Sequence, residues 1–165
     1  LLAHPALSEP TFPHTVILMS AHNEEGAMGV VLNRPLGQRL GELNGEFALG
    51  PLAKVPVFRG GPVQTDQMVL AAWQSQEDGF RLHFGLEPDK AGQLATEEGV
   101  HVRAFLGYSG WSAGQLEEEI GRNGWLTVDA SPELIFDTPV EQRYERALAL
   151  LGIDPRMLSA EAGHA

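Results

Sequence analysis

Cysteine is absent from the 165-residue chain. That excludes a disulfide framework, a thiolate nucleophile and any Cys-ligated zinc, and it is compatible with a reducing compartment. Lysine is scarce: Lys54 and Lys90 stand beside nine arginines, a bias that follows either from a GC-rich genome or from a need for anion recognition. No apolar run approaches the roughly 18 residues of a membrane span. The opening stretch is broken by Pro5, Pro10 and Pro13 and lacks the basic head and apolar core of a secretory signal. Basic residues of both kinds number 11 against 22 acidic ones, a formal charge of −11. That field repels nucleic acid and anionic lipid alike, so neither direct nucleic-acid binding nor a membrane role is expected. The chain begins at Leu1 and not at Met, so a residue or more upstream is expected.

What is present reads as one domain. A chain of this length buries roughly two-thirds of the surface its unfolded form exposes, and it contains no repeat or low-complexity tract. The expected domain runs over 1–158, with a small, polar, disordered tail at 159–165. Two apolar runs, Thr15–Ala21 and Met28–Leu32, flank the polar stretch His22-Asn23-Glu24-Glu25-Gly26 and predict a β-hairpin. Neither run alternates, so both strands are expected to be buried on both faces. Further strands are predicted at Val57–Arg59, Met68–Trp73, Arg81–Phe84, Val102–Leu106 and Leu126–Val128. Helices are predicted over Asp89–Glu98 and from Ser131-Pro132-Glu133, with one more turn at Asp154-Pro155. Another opens at the capping box Ser112 to Gln115, turns Leu116 and Ile120 inward and closes at Asn123-Gly124. The last runs from Thr138-Pro139-Val140-Glu141 to Gly152, with Val140, Tyr144, Ala147, Leu148 and Leu151 on its inner face. Strands outnumber helices. The expected class is α+β, a mixed sheet, curled or sandwich-like, with helices packed outside.

Four segments carry more than their composition. The first is Leu1-Leu2-Ala3-His4-Pro5-Ala6-Leu7 with Phe12. The second runs from His22 through Asn23-Glu24-Glu25-Gly26-Ala27-Met28-Gly29-Val30-Val31-Leu32 to Asn33-Arg34-Pro35. The third is Gly60-Gly61-Pro62-Val63. The fourth is Gly107-Tyr108-Ser109-Gly110-Trp111-Ser112-Ala113-Gly114-Gln115-Leu116-Glu117, followed by Asn123 and Trp125. In order and spacing the set resembles the AlgH/YqgE family from the first residue to about Leu151. The resemblance implies an α+β domain of the bacterial cytoplasm. It also implies a role named as transcriptional regulation, with no established reaction, cofactor or substrate.

The candidate chemistry centres on Gly107–Gly114, read as a loop between a strand and a helix. Backbone N–H groups at such a place can hold an anion, and glycines let a ligand come close; equally, the glycines fit a tight turn. It is neither a P-loop nor a dinucleotide fingerprint. Ser109 lacks the second glycine of a nucleophile elbow, since Trp111 stands there, and the family resemblance implies that Ala is also accepted at this place. His22 with Glu24 and Glu25 is the best local metal cluster, set against a plain polar hairpin tip. Glu117, Glu118 and Glu119 crowd one helix start, where acids complement the macrodipole. The three tryptophans are expected in packing, with Trp111 able to wall a pocket. The candidate ligand-binding set is therefore Asn33, Arg34, Arg59, Gly60, Gly61, Gly107, Ser109, Gly110, Trp111, Ser112 and Gln115, expected to converge on one concavity. No metal and no cofactor are expected. Three readings stand: a non-catalytic regulatory protein binding a small anionic molecule or another protein; an enzyme acting on a small anionic substrate, with Arg34 or Arg59 holding the anion and His22 as base; and a direct DNA-binding regulator, which the charge opposes.

Overall fold

The computed structural model describes residues 1–3, 14–77, 79–122, 124–131 and 133–152. The expected tail, the turn at Asp154-Pro155, the first segment beyond Ala3, Asn123 and Pro132 lie outside the described residues. In chain order the elements are β1 (Leu2–Ala3), β2 (Ile17–Asn23), β3 (Gly26–Val31), β4 (Pro35–Arg39), α1 (Leu40–Leu43), β5 (Pro56–Arg59), β6 (Val63–Gln76) and β7 (Gly79–Phe84). They continue with α2 (Pro88–Ala95), β8 (Val100–Ser112), α3 (Gln115–Gly121), β9 (Trp125–Leu126) and α4 (Arg143–Leu150). The class is α+β with a mixed sheet, as the preponderance of short apolar runs requires. The chain forms two compact units, one made of Leu1–Asn33 with Gly110–Ala165 and the other of Arg34–Ser109.

The continuous unit is an open five-stranded sheet in the order β4-β5-β8-β6-β7. Only β5 and β8 run parallel; every other pairing is antiparallel. Within this unit the sheet is open, with β4 and β7 at its two ends. Strand β4 escaped sequence reading because Pro35 and Gly37 disguise it; an edge tolerates such residues. Side-chain alternation sorts the core. Val57, Leu70, Ala72, Val102 and Ala104 meet Leu40 of α1 and Ala91 and Leu94 of α2 on one face. Phe58, Phe105 and Trp73 are buried on the strands' other side, with ring centroids 5.8 and 6.3 Å apart. Helix α2 begins with Pro88 after the extended Glu87. Gly99, with φ of +77°, then carries the chain toward β8.

In the discontinuous unit β2 and β3 form the expected hairpin, closed by an Asn23 side chain that accepts from the Glu25 N–H at 2.8 Å. The expected two-faced burial holds only at the core end, where Thr15 to Leu18 and Val30 to Leu32 are buried without a break; toward the tip β2 becomes exposed. Those apolar runs fill the core end of a hairpin whose polar tip reaches into water. Strand β1 pairs with β9, which is shorter than expected. Ser131 caps the π-helical turn Glu133–Asp137 through its hydroxyl to Leu134 N, 3.2 Å. Beyond it a 3-10 turn, Val140–Gln142, precedes α4. The buried face of α4 is Arg143, Tyr144, Ala147 and Leu148; Leu151 and Val140, expected there, are not buried. The 3-10 turn shifts the phase, so Arg143 takes the inner place. Its guanidinium donates to the Leu32 carbonyl at 2.6 Å and the Thr138 carbonyl at 3.1 Å. Burial lowers its pKa from the ordinary arginine value. Among the described residues no helix is long and apolar enough to cross a membrane.

Candidate functional site

The structure corrects the glycine-rich segment. Gly107 to Ser112 is not a loop but the second half of strand β8. Its first part, Gly107 to Ser109, belongs to the continuous unit and lies against the end of β5. Gly60 donates its N–H to the Leu106 carbonyl at 2.9 Å, and a Cβ on Gly60 would stand 2.3 Å from the Gly107 carbonyl oxygen. Gly61, at φ of +154°, would meet the Tyr108 carbonyl at 2.3 Å, and Gly107, at φ of +75°, would meet the Gly61 carbonyl oxygen at 2.6 Å. Three glycines thus allow two backbones to touch, a close approach that any side chain would prevent. Ser109 is fully buried and its hydroxyl donates to the Gly60 carbonyl at 3.1 Å. Arg59 donates its backbone N–H to the Arg34 carbonyl at 2.8 Å. The Arg59 residue is exposed, whereas Arg34 is half-buried and its guanidinium pKa is lowered by desolvation. Of the candidate set, Arg34, Arg59, Gly60, Gly61, Gly107 and Ser109 therefore belong to this unit.

Asn33, Gly110, Trp111, Ser112 and Gln115 belong to the other. Asn33 is a clamp: its Oδ1 accepts from Val16 N at 3.0 Å and its Nδ2 donates to the His14 carbonyl at 2.8 Å. Helix α3 opens at Gln115, three residues later than expected, after Gly114 in the left-handed region at φ of +75°. Half of the expected capping box survives, the Gln115 Oε1 accepting from Ser112 N at 2.9 Å. The backbone N–H groups expected to face a ligand are instead part of a strand end and its turn. Gly26, on β3, makes room for the Trp111 carbonyl, which would lie 2.4 Å from a Cβ there.

The acids of α3 do more than balance a dipole. Glu119 Oε1 accepts from both indoles, Trp125 at 2.9 Å and Trp111 at 3.2 Å. Its Oε2 accepts from Gln115 Nε2 at 2.9 Å. The two indoles meet edge to face with centroids 5.8 Å apart. Glu117 Oε1 pairs with His22 Nε2 at 2.6 Å, and that bond holds the Glu117 carboxyl below its ordinary pKa. Glu118 pairs with Arg122 one turn on. His22 thus finds its carboxylate 95 residues away and not in Glu24 or Glu25. Among the described residues no three His, Asp or Glu side chains gather as metal ligands. Nothing in the sequence pattern marks Arg143, and the one signal for Glu119 is an acid within eight residues of two tryptophans.

Three cavities lie away from the candidate residues. One of about 660 Å³ opens in the continuous unit between Glu46–Leu52 and α2. Another of about 200 Å³ lies beside Pro51–Pro56 and the start of β8. A third, of about 160 Å³, is apolar and lies beside Ile17 and Leu134 in the discontinuous unit.

Comparison with known proteins places the chain. A family model described as AlgH-like matches residues 1–156. The chain belongs to that family. The resemblance carried by the four segments is therefore real. A UPF0301 protein of Ralstonia nicotianae is 48% identical over 176 residues, covering 100% of this chain and 93% of its own. Another from Burkholderia lata is 44% identical with the same coverage. Among solved structures, the AlgH protein of Pseudomonas aeruginosa matches this AlgH-like chain with a TM-score of 0.69 at 36% identity. That match covers 99% of this chain and 93% of the other. A protein of Corynebacterium diphtheriae matches with a TM-score of 0.65 at 24% identity over 85% and 80%, a likeness of fold alone.

Proposed function

We propose that this AlgH-like protein is a non-catalytic regulatory protein of the bacterial cytoplasm that works by binding and not by turnover. The observation that carries this reading is Ser109. It is the hydroxyl in the most enzyme-like stretch of the sequence, and it is fully buried with its proton given to the Gly60 carbonyl. A serine nucleophile needs a base beside it and a substrate path to it; this one clips two strands together. The partner is another protein or a small anionic molecule, the latter held by Arg34 or Arg59. A role in transcription would run through a protein, since a charge of −11 opposes contact with phosphates. The test is native mass spectrometry of the purified protein for a co-purifying molecule, run beside turnover assays on a metabolite panel. A bound, unconverted molecule or protein is expected, and steady turnover of any panel member would refute the reading.

One observation favours a second reading. His22 and Glu117 at 2.6 Å have the form of a general base oriented by a carboxylate. An enzyme acting on a small anionic substrate would use that pair, and its turnover would vanish in His22→Ala while the fold persisted.

A further inference from the structure

The cavity between Glu46–Leu52 and α2 belongs to no candidate set. Its volume of about 660 Å³ lies within the roughly 300–1,000 Å³ common among ligand sites. Phe47, Leu52 and Pro88 give it an apolar wall. That wall backs onto the same core that Ala91 and Leu94 of α2 help to build. Gly92 lets α2 approach Pro51 closely: a Cβ there would stand 3.2 Å from the proline ring.

The charge is one-sided. Glu46 and Asp89 line the opening and no lysine or arginine does. Neither carboxylate forms an ion pair with a described residue. An apolar hollow with two unneutralised carboxylates at its mouth is complementary to a ligand with an apolar body and cationic ends.

The surroundings point to something larger than a small amine. Among the described residues four large apolar side chains are exposed, and two of them, Leu43 and Leu49, sit on the segment that leads into this cavity. Leu49, two residues from Phe47, is fully in water. A small cation in the hollow would leave it there; a chain lying across the opening would cover it.

We propose that this cavity receives a basic amphipathic segment of a partner protein. One apolar side chain would enter against Phe47 and Leu52, Lys or Arg neighbours would reach Glu46 and Asp89, and the flanking apolar surface would cover Leu49. The proposal deepens the reading of the protein as a binder and rests on it.

The test is an NMR titration of the isotope-labelled full chain with three probes: a synthetic helical Leu/Lys peptide, its Leu/Glu counterpart, and octylammonium. The Leu/Lys peptide is expected to shift amides within Glu46–Leu52 and Asp89–Thr96. Its Kd is expected to rise about tenfold in Glu46→Gln/Asp89→Asn, two rim contacts at about 0.7 kcal/mol each, and by a similar factor in Phe47→Ala. Both variants alter partly exposed side chains, and their amide spectra report that they remain folded. Shifts spread over the acidic surface, equal binding of the Leu/Glu peptide, or an unchanged Kd in the double variant would overturn the proposal. So would octylammonium binding as tightly as the peptide, or a self-associated protein whose dimer the same variants dissolve, because the occupant would then be an amine or a second copy. A failure here would leave the binding reading intact, since turnover on the metabolite panel tests that reading separately.

Discussion

The carboxylate of Glu119 is the cheapest place to break the discontinuous unit without touching its apolar core. Glu119→Ala takes the acceptor from two indoles, Trp125 and Trp111, which are 3% and 7% exposed. Depriving a buried donor of its partner costs about 1–3 kcal/mol, so two donors set a range of about 2–6 kcal/mol. The carboxylate itself is half-buried, so water can enter its place and partly serve the indoles; about 2–3 kcal/mol of destabilisation is expected. Glu119→Gln keeps an acceptor oxygen in place and should cost about 1 kcal/mol or less, the difference between a charged and a neutral hydrogen bond. Urea unfolding followed by tryptophan fluorescence and by circular dichroism measures both. A double-mutant cycle isolates the bond: Trp125→Phe removes one donor, so adding Glu119→Ala to it should cost about 1 kcal/mol less than Glu119→Ala alone. If Ala and Gln variants unfold together, or if Trp125→Phe and Glu119→Ala simply add, the indoles do not depend on this carboxylate.

Other outcomes follow from the same geometry. Leu148, fully buried on α4, should lose about 2–5 kcal/mol as Leu148→Ala; a loss below about 1 kcal/mol by denaturant unfolding would mean that α4 is loosely docked. Gly61→Ala would force a Cβ to within 2.3 Å of the Tyr108 backbone, which cannot swing aside. A cost of about 3 kcal/mol or more is expected, against about 1 kcal/mol for Gly114→Ala, whose left-handed turn faces open space. Equal melting temperatures for the two variants would contradict the close approach of β5 and β8. The lowered Glu117 pKa has a definite sign: the pair with His22 adds stability above the ordinary glutamate range and loses it as pH falls through the lowered value. In His22→Ala the Glu117 carboxyl should titrate back in its ordinary range by NMR, and an unmoved titration would show that the imidazole is not its cause.

The hairpin and the strands around Val57 and Phe105 are legible in the sequence as short apolar runs bounded by polar or glycine-containing turns, and Tyr144, Ala147 and Leu148 of α4 by their helical spacing. The glycine segment was misread for a physical reason. Glycine signals permission for a positive φ or for a near neighbour, and sequence does not say which. At Gly60, Gly61 and Gly107 the neighbour is another backbone, so a stretch that resembles a ligand loop is a strand packed closely beside the chain that follows β5. Strand β4 was hidden by Pro35 and Gly37, which are tolerated only because it is an edge. The inner face of α4 differs from the expected one because a 3-10 turn does not keep helical phase, so Arg143 lies on it in place of Val140. His22 and Glu117 meet across 95 residues, where no local pattern can reveal a partner, whereas Glu119 lies within eight residues of both of its indoles and its spacing alone does not say that they turn toward it.

The bond from Arg143 to the Leu32 carbonyl joins residues 111 positions apart, and that distance becomes a delay when the protein is made. At about 5–20 residues per second of synthesis, the ribosome adds Arg143 roughly 6–22 s after Leu32. For most of that interval the first hairpin has been made but Trp111, Leu116 and Trp125 have not, so Ile17 and Val31 lack the neighbours of their core cluster. Arg34–Ser109, by contrast, has β4 to β7 and the paired part of β8 as soon as Ser109 emerges. The earliest part of the chain is thus the last to be completed. It is the part a nascent-chain chaperone would have most reason to hold, and a stalled chain ending before Gly110 should leave the hairpin open to protease.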